Sequence, residues 1–119
     1  MVSPIINKIG AVFIPVRSIN NARDWYCDLL GLSADSEEII AGHLFVIPLE
    51  DKNSLVLDSK IFSPSQTKDI PLFHFNTDNI YKAYEFMKEK EITLISDIEH
   101  DQWFTIQDPD GNILMVCQT

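Results

Sequence analysis

The chain repeats itself. Shifted by 61 residues, Ile19 falls on Ile80, Ala22 on Ala83 and Trp25 on Phe86, while Val16-Arg17-Ser18 falls on Thr77-Asp78-Asn79. Toward the end of each half the shift becomes 59, and Asp51-Lys52-Asn53-Ser54-Leu55-Val56-Leu57 falls on Asp110-Gly111-Asn112-Ile113-Leu114-Met115-Val116. The match is one of residue class more than identity. In a chain of 119 residues such a repeat is a strong constraint. Each half must build the same short order of elements, and the two together make one compact unit or two small half-domains sharing a core.

That order is legible in both halves. Residues 9–16 (IGAVFIPV) are rich in β-branched and aromatic side chains and predict a strand, which Pro15 places near an edge or a bulge. Ser18 or Asn20 can cap a helix that carries Ile19, Ala22, Trp25, Tyr26, Leu29 and Leu30 at helical spacing, and Gly31 stops it. Residues 32–36 can open a second strand. Residues 43–47, ended by Pro48, and residues 54–58 supply two more, around the polar turn at 50–53. Residues 59–70 mix Ser, Pro, Lys and Asp and read as a connecting loop. Then the order returns: a strand over 72–76, a helix capped by Asp78 with Ile80, Ala83, Phe86 and Met87, and strands over 91–95, 102–106 and 113–117. Between the last two, Asp108-Pro109-Asp110-Gly111-Asn112 is turn chemistry, with Pro109 fixing one φ and Gly111 permitting a positive one. The fold class is therefore α+β: two βαβββ modules, about 8–58 and 71–118, joined by the linker 59–70 in a single domain.

Composition narrows the partners. The net charge is −9, from 18 acidic against 9 basic residues. Phosphate binding needs clustered Lys and Arg, so nucleic acid is excluded as a partner. With 45% hydrophobic and 10% aromatic residues the chain can bury a core. Cys27 and Cys117 have no CxxC spacing and no adjacent cation; they read as small buried hydrophobes in a reducing compartment. The apolar run 9–16 is too short to span a bilayer, and no small-residue cleavage site follows it. A cytoplasmic location and no membrane partner are the expectation.

Val16-Arg17-Ser18-Ile19-Asn20-Asn21-Ala22, then Trp25-Tyr26-Cys27-Asp28-Leu29-Leu30-Gly31-Leu32, then the closing Asp108-Pro109-Asp110-Gly111-Asn112, together resemble the vicinal oxygen chelate superfamily. This is the family of glyoxalase I, bleomycin-resistance proteins, fosfomycin-modifying enzymes and extradiol dioxygenases. The resemblance runs over nearly the whole chain and implies curled mixed sheets around a cleft, in a homodimer. In metal-dependent members it implies a divalent ion held by His, Gln or Glu from the first and last strand of each module. Counted from the matched motifs, those four positions are Ala11, Leu72, Met115 and Val56. Three have no donor atom, and a thioether is a poor ligand for hard or borderline divalent ions. The resemblance therefore implies the family's fold with its usual metal site missing. The same four residues also suit plain inward packing, since inward strand positions are commonly apolar.

Other side chains are weighed against that background. His74 lies two residues beyond Leu72 and so on the same side of a regular strand, with Phe13 as its repeat partner. It is the candidate catalytic group, able to orient a ligand or move a proton; a hydrogen-bonded pocket histidine with no catalytic part is the alternative. A metal site built from His74, Asp58 and Glu50 or His100 has neither spacing nor family pattern behind it. His43 and His100 are expected to be solvated. Trp103 and Phe104 alternate, so one can face the cleft and stack on a flat or cationic ligand while the other packs beneath. There is no phosphate loop and no serine nucleophile elbow.

The reading is a small-molecule-binding protein, with Ala11, Phe13, Val56, Leu72, His74, Trp103 and Met115 lining the cleft, no metal or other cofactor, and a cationic or aromatic ligand. It leans away from catalysis. The alternative is a metal-dependent lyase, isomerase or dioxygenase of the same superfamily, with a divalent ion as cofactor. A second is a non-catalytic regulatory or subunit protein.

Overall fold

The elements follow one another as β1 (Ala11–Pro15), α1 (Ile19–Leu30), β2 (Leu44–Pro48), β3 (Ser54–Asp58), β4 (Pro71–Thr77), α2 (Ile80–Glu89), β5 (Thr93–Leu94), β6 (Trp103–Gln107) and β7 (Ile113–Gln118). This structure is a computed structural model, and it describes residues 1–34, 39–65 and 69–119. The chain divides into two units, Met1–Ser63 and Pro64–Thr119. Each has its own mixed sheet and its own helix, so the α+β class stands.

In the first unit the strand order is β1-β3-β2. β1 runs parallel to β3 and β2 antiparallel to it. Pro15 therefore sits on an edge strand, where a missing N–H costs no ladder bond on the open side. The Ser18 side chain accepts the Asn21 amide at 3.3 Å to start α1, and Gly31, at φ 70°, ends it in the left-handed conformation. The helix buries Ile19, Ala22, Tyr26, Cys27 and Leu29 and packs against β2 and β3. Alternation along the strands decides what it meets. Ile14, Phe45, Ile47, Leu55 and Leu57 form the buried side. The strand expected over 32–36 is not there at 32–34, and 35–36 lie outside the described residues. A single bridge between Ile40 and Leu44 stands before β2 instead. Among the described residues the first unit is thus βαββ.

The second unit is βαβββ, with order β4-β7-β6-β5 and β4 parallel to β7. Its β5 is only two residues long. The cap of α2 is Asn79, one residue later than the expected Asp78. Its side-chain oxygen accepts from the Tyr81 and Lys82 amides, both at 3.1 Å. Ile80 and Met87 are buried, but Phe86 is not. It lies about 100° around the helix from Met87, off the inward stripe, with the Lys90 ammonium over its ring. The inward face of the sheet is Phe104, Ile106, Leu114 and Val116.

The repeat is closer in geometry than in sequence. β2 maps onto β6 and β3 onto β7 with the 59-residue shift. The left-handed pair Ala41 (φ 52°) and Gly42 (φ 76°) recurs as His100 (φ 53°) and Asp101 (φ 55°). The bridge between Ile40 and Leu44 recurs between Glu99 and Trp103. Among the described residues, no helix is long and apolar enough to cross a membrane.

Candidate functional site

The helix covers one side of each sheet, which leaves the other side as the place where side chains can meet a ligand. In the first unit that side carries every second residue of each strand. Phe13 lies opposite Val56, Val56 opposite Val46, and Ala11 opposite Ser54. The three residues expected from this half, Ala11, Phe13 and Val56, thus share one face. Phe13 is 58% exposed and Val56 is buried beside it. The result is an apolar floor with an aromatic edge.

At the far end of that face stands a pair that sequence reasoning missed. Asp58 follows Val56 by two residues and so points the same way. Its Oδ1 lies 3.1 Å from Nδ1 of His43 and accepts the Lys60 amide at 2.9 Å. The side chains are 20% and 11% exposed, so His43, expected to be solvated, keeps only a fifth of its side chain in solvent. The turn at 40–43 swings the imidazole onto the carboxylate. Burial pushes the Asp58 carboxyl up, but the Lys60 amide, the His43 imidazole and the charges of both residues outweigh it. Asp58 therefore stays below the usual carboxylate range and is ionised at neutral pH. The overlay of the halves held the signal: with the 59-residue shift His43 falls on Gln102 and Asp58 on Cys117, two breaks in residue class.

In the second unit, Leu72, His74 and Asn76 occupy one side of β4. His74 lies opposite Met115, and Met115 opposite Thr105, two residues from Trp103. Of the residues expected from this half, His74, Trp103 and Met115 therefore share a face, and Leu72, like His74, is one of the exposed residues that alternate along β4. The register slips by one between Pro71 and His74. Leu72 is 46% exposed. His74 is exposed, and its side chain makes no hydrogen bond among the described residues. Trp103 is half-buried; its indole N–H donates to Glu99 at 2.9 Å and its ring lies 5.1 Å from that of His100. Phe104 is fully buried against Tyr84, so of the alternating pair Trp103 is the outward one. Tyr84 donates to Asp97 and Tyr81 to Asp101. These bonds to carboxylates, then burial and the nearby negative charge, hold both phenols above their ordinary range.

A divalent ion does not fit the four positions. Val56 stands opposite Phe13 as Met115 stands opposite His74, so the two are equivalent in geometry. Neither they nor Ala11 and Leu72 present an oxygen or nitrogen donor. Among the described residues, no three His, Cys, Asp or Glu side chains gather as a metal site would require. A cavity of about 140 Å³ lies elsewhere in the first unit, between Cys27, Leu32 and Phe45. It is well below the roughly 300 Å³ at which small-molecule sites begin.

The model of the Glyoxalase/Bleomycin resistance protein/Dioxygenase superfamily matches residues 8–116. A search of curated proteins returns no match. Among solved structures, the chain is similar to TnmS3, an antibiotic binding protein from Streptomyces sp. CB03234, with a TM-score of 0.75 at 20% identity, over 95% of this chain and 96% of that one. It is similar to a glyoxalase/dioxygenase from Nostoc punctiforme, with a TM-score of 0.72 at 19% identity, over 99% and 98% of the two chains. It is also similar to a lactoylglutathione lyase from Agrobacterium tumefaciens, with a TM-score of 0.71 at 18% identity, over 98% and 96%. Identities this low speak for the fold alone, and the relatives include both a binder and an enzyme. The family match spans nearly the whole chain, and the repeated parallel pairing of first and last strand agrees with it: the chain belongs to the glyoxalase/bleomycin resistance/dioxygenase superfamily.

Proposed function

We propose that this protein binds a small organic molecule against the open faces of its sheets and does so without the divalent metal of its catalytic relatives. One observation carries the reading. The four positions at which the resemblance puts metal ligands hold Ala11, Val56, Leu72 and Met115, and each lies on a face the helices leave uncovered. Apolar walls there favour burial of an apolar or aromatic ligand and offer nothing to polarise a substrate oxygen. Phe13 and Trp103 add ring surface for stacking, and the chain's −9 charge favours a cationic ligand. The similarity to an antibiotic binding protein supports the same reading.

The test uses Trp103 as its own reporter. In a Trp25→Phe background, chelator-treated protein is titrated with bleomycin and with ethidium while indole fluorescence is followed. Saturable quenching at one ligand per chain, unchanged by added divalent ions, is the expected result. Stoichiometric metal uptake coupled to turnover of a glyoxalase or dioxygenase substrate would overturn it.

A further inference from the structure

The His43–Asp58 pair has no part in the apolar reading. The molecule contains its own control. The second unit builds the same turn, the same hairpin and the same parallel strand pair with Gln102 and Cys117 at the equivalent positions. The same scaffold forms there with no ion pair, Gln102 reaching the Gln118 carbonyl instead.

Geometry says what the pair can do. Asp58 is ionised and can only accept, so His43 donates from Nδ1, and in the neutral form of the ring the other nitrogen, Nε2, carries a lone pair. No buried side-chain nitrogen or oxygen among the described residues lacks a hydrogen-bond partner. Nε2 has no partner among the described residues, and the side chain keeps 20% of its surface exposed. The carboxylate that orients the ring stands about 7 Å along β3 from Val56, on the side that carries Phe13. Around the pair, Lys60 is the further charged side chain acting on Asp58; its register neighbours Pro15 and Leu44 are uncharged. The pair is a proton acceptor with fixed orientation at the end of an apolar, aromatic-edged face.

We propose that His43, held by Asp58, is the polar recognition group of this ligand face and selects ring compounds that carry an acidic hydroxyl. This rests on the ligand-binding reading above and adds the ligand's chemistry. The step balances. The ligand O–H bond breaks, its electron pair stays on oxygen, and the proton forms an N–H bond at Nε2. The imidazolium keeps its Nδ1–H on Asp58, which stabilises the new positive charge beside the ligand oxyanion.

Two matched probes test it: 4-nitrophenol, and 4-nitroanisole, the same ring without the proton. Binding is followed by difference absorbance, where the phenolate has its own visible band. We expect 4-nitrophenol to bind about tenfold more tightly than 4-nitroanisole, the worth of one charge-assisted hydrogen bond, and to show the phenolate band when bound at a pH where free probe is mostly neutral. His43→Gln, which installs the second unit's own side chain, should remove both the preference and the band while leaving 4-nitroanisole binding unchanged. Asp58→Asn should weaken the band while circular dichroism confirms an intact fold. If both probes bind equally and His43→Gln changes neither, the assignment of His43 falls and the binding face survives. If neither probe binds, the ligand-face reading fails and takes this inference with it.

Discussion

At the scale of single residues, the chain's most informative contact joins His43 to Asp58 across 15 positions of sequence. Asp58 accepts from the Lys60 amide and the His43 ring, and the net effect is a carboxyl held below its ordinary range. A depressed folded-state value means that the group stabilises the native chain above the unfolded carboxyl range and loses that contribution as pH falls through the folded value. We therefore expect urea midpoints of the native protein to drop on acidification below about pH 4 more steeply than those of Asp58→Asn, which lacks this titration. Identical acid profiles for the two would show that the pair contributes nothing to stability. Sequence reading placed Ala11, Phe13, Leu72, His74, Trp103 and Met115 on their strands because alternation is a local property. It could not place His43, because a turn with two consecutive left-handed residues, Ala41 and Gly42, decides where that ring goes.

At the scale of elements, the hairpin turns show how one geometry can be written in two sequences. In the second unit Asp108, buried, accepts the Asp110 and Asn112 amides at 2.9 and 2.8 Å and the Asn112 side chain at 2.8 Å, and Gly111 takes φ 87°. The first unit closes the same loop, with Leu49 donating to the Asn53 carbonyl as Asp108 donates to that of Asn112. There the left-handed residue is Lys52, at φ 70°. An L side chain in that region costs about 1–2 kcal/mol, and a glycine returns about 0.5–1 kcal/mol of that through a freer unfolded chain. Lys52→Gly should therefore stabilise the protein by about 0.5 kcal/mol and Gly111→Lys destabilise it by a comparable amount, both read as midpoint shifts at constant m. No gain from Lys52→Gly would mean that the lysine side chain has compensating contacts. The glycine made the second turn visible in the sequence. The polar turn at 50–53 was legible too, but not that Lys52 takes its left-handed position, just as Asn79 displaced the expected cap at Asp78 by taking two amides on one side-chain oxygen.

At the scale of the whole molecule, family membership carries the expectation of a homodimer, and exposed side chains bear on it. Val2, Ile5, Ile6 and Ile9 are each more than two-thirds exposed. Apolar surface of this kind favours association. Light scattering should give about twice 13.6 kDa for the native sequence, and a lower mass for the triple variant Ile5→Ser, Ile6→Ser, Ile9→Ser. A native mass of one chain would remove the expectation. The repeat read from sequence carried most of the architecture, and the departures from it carried the chemistry. One topological feature reaches further, into the order of folding. In each unit the strand that pairs with the first, β3 or β7, is the last that unit contributes. β1 waits for β3, and β4 for β7, until everything between them has been synthesised. Neither sheet can close before its last strand has emerged from a ribosome, and joining the early strand to the late hairpin is the non-local contact that slows folding.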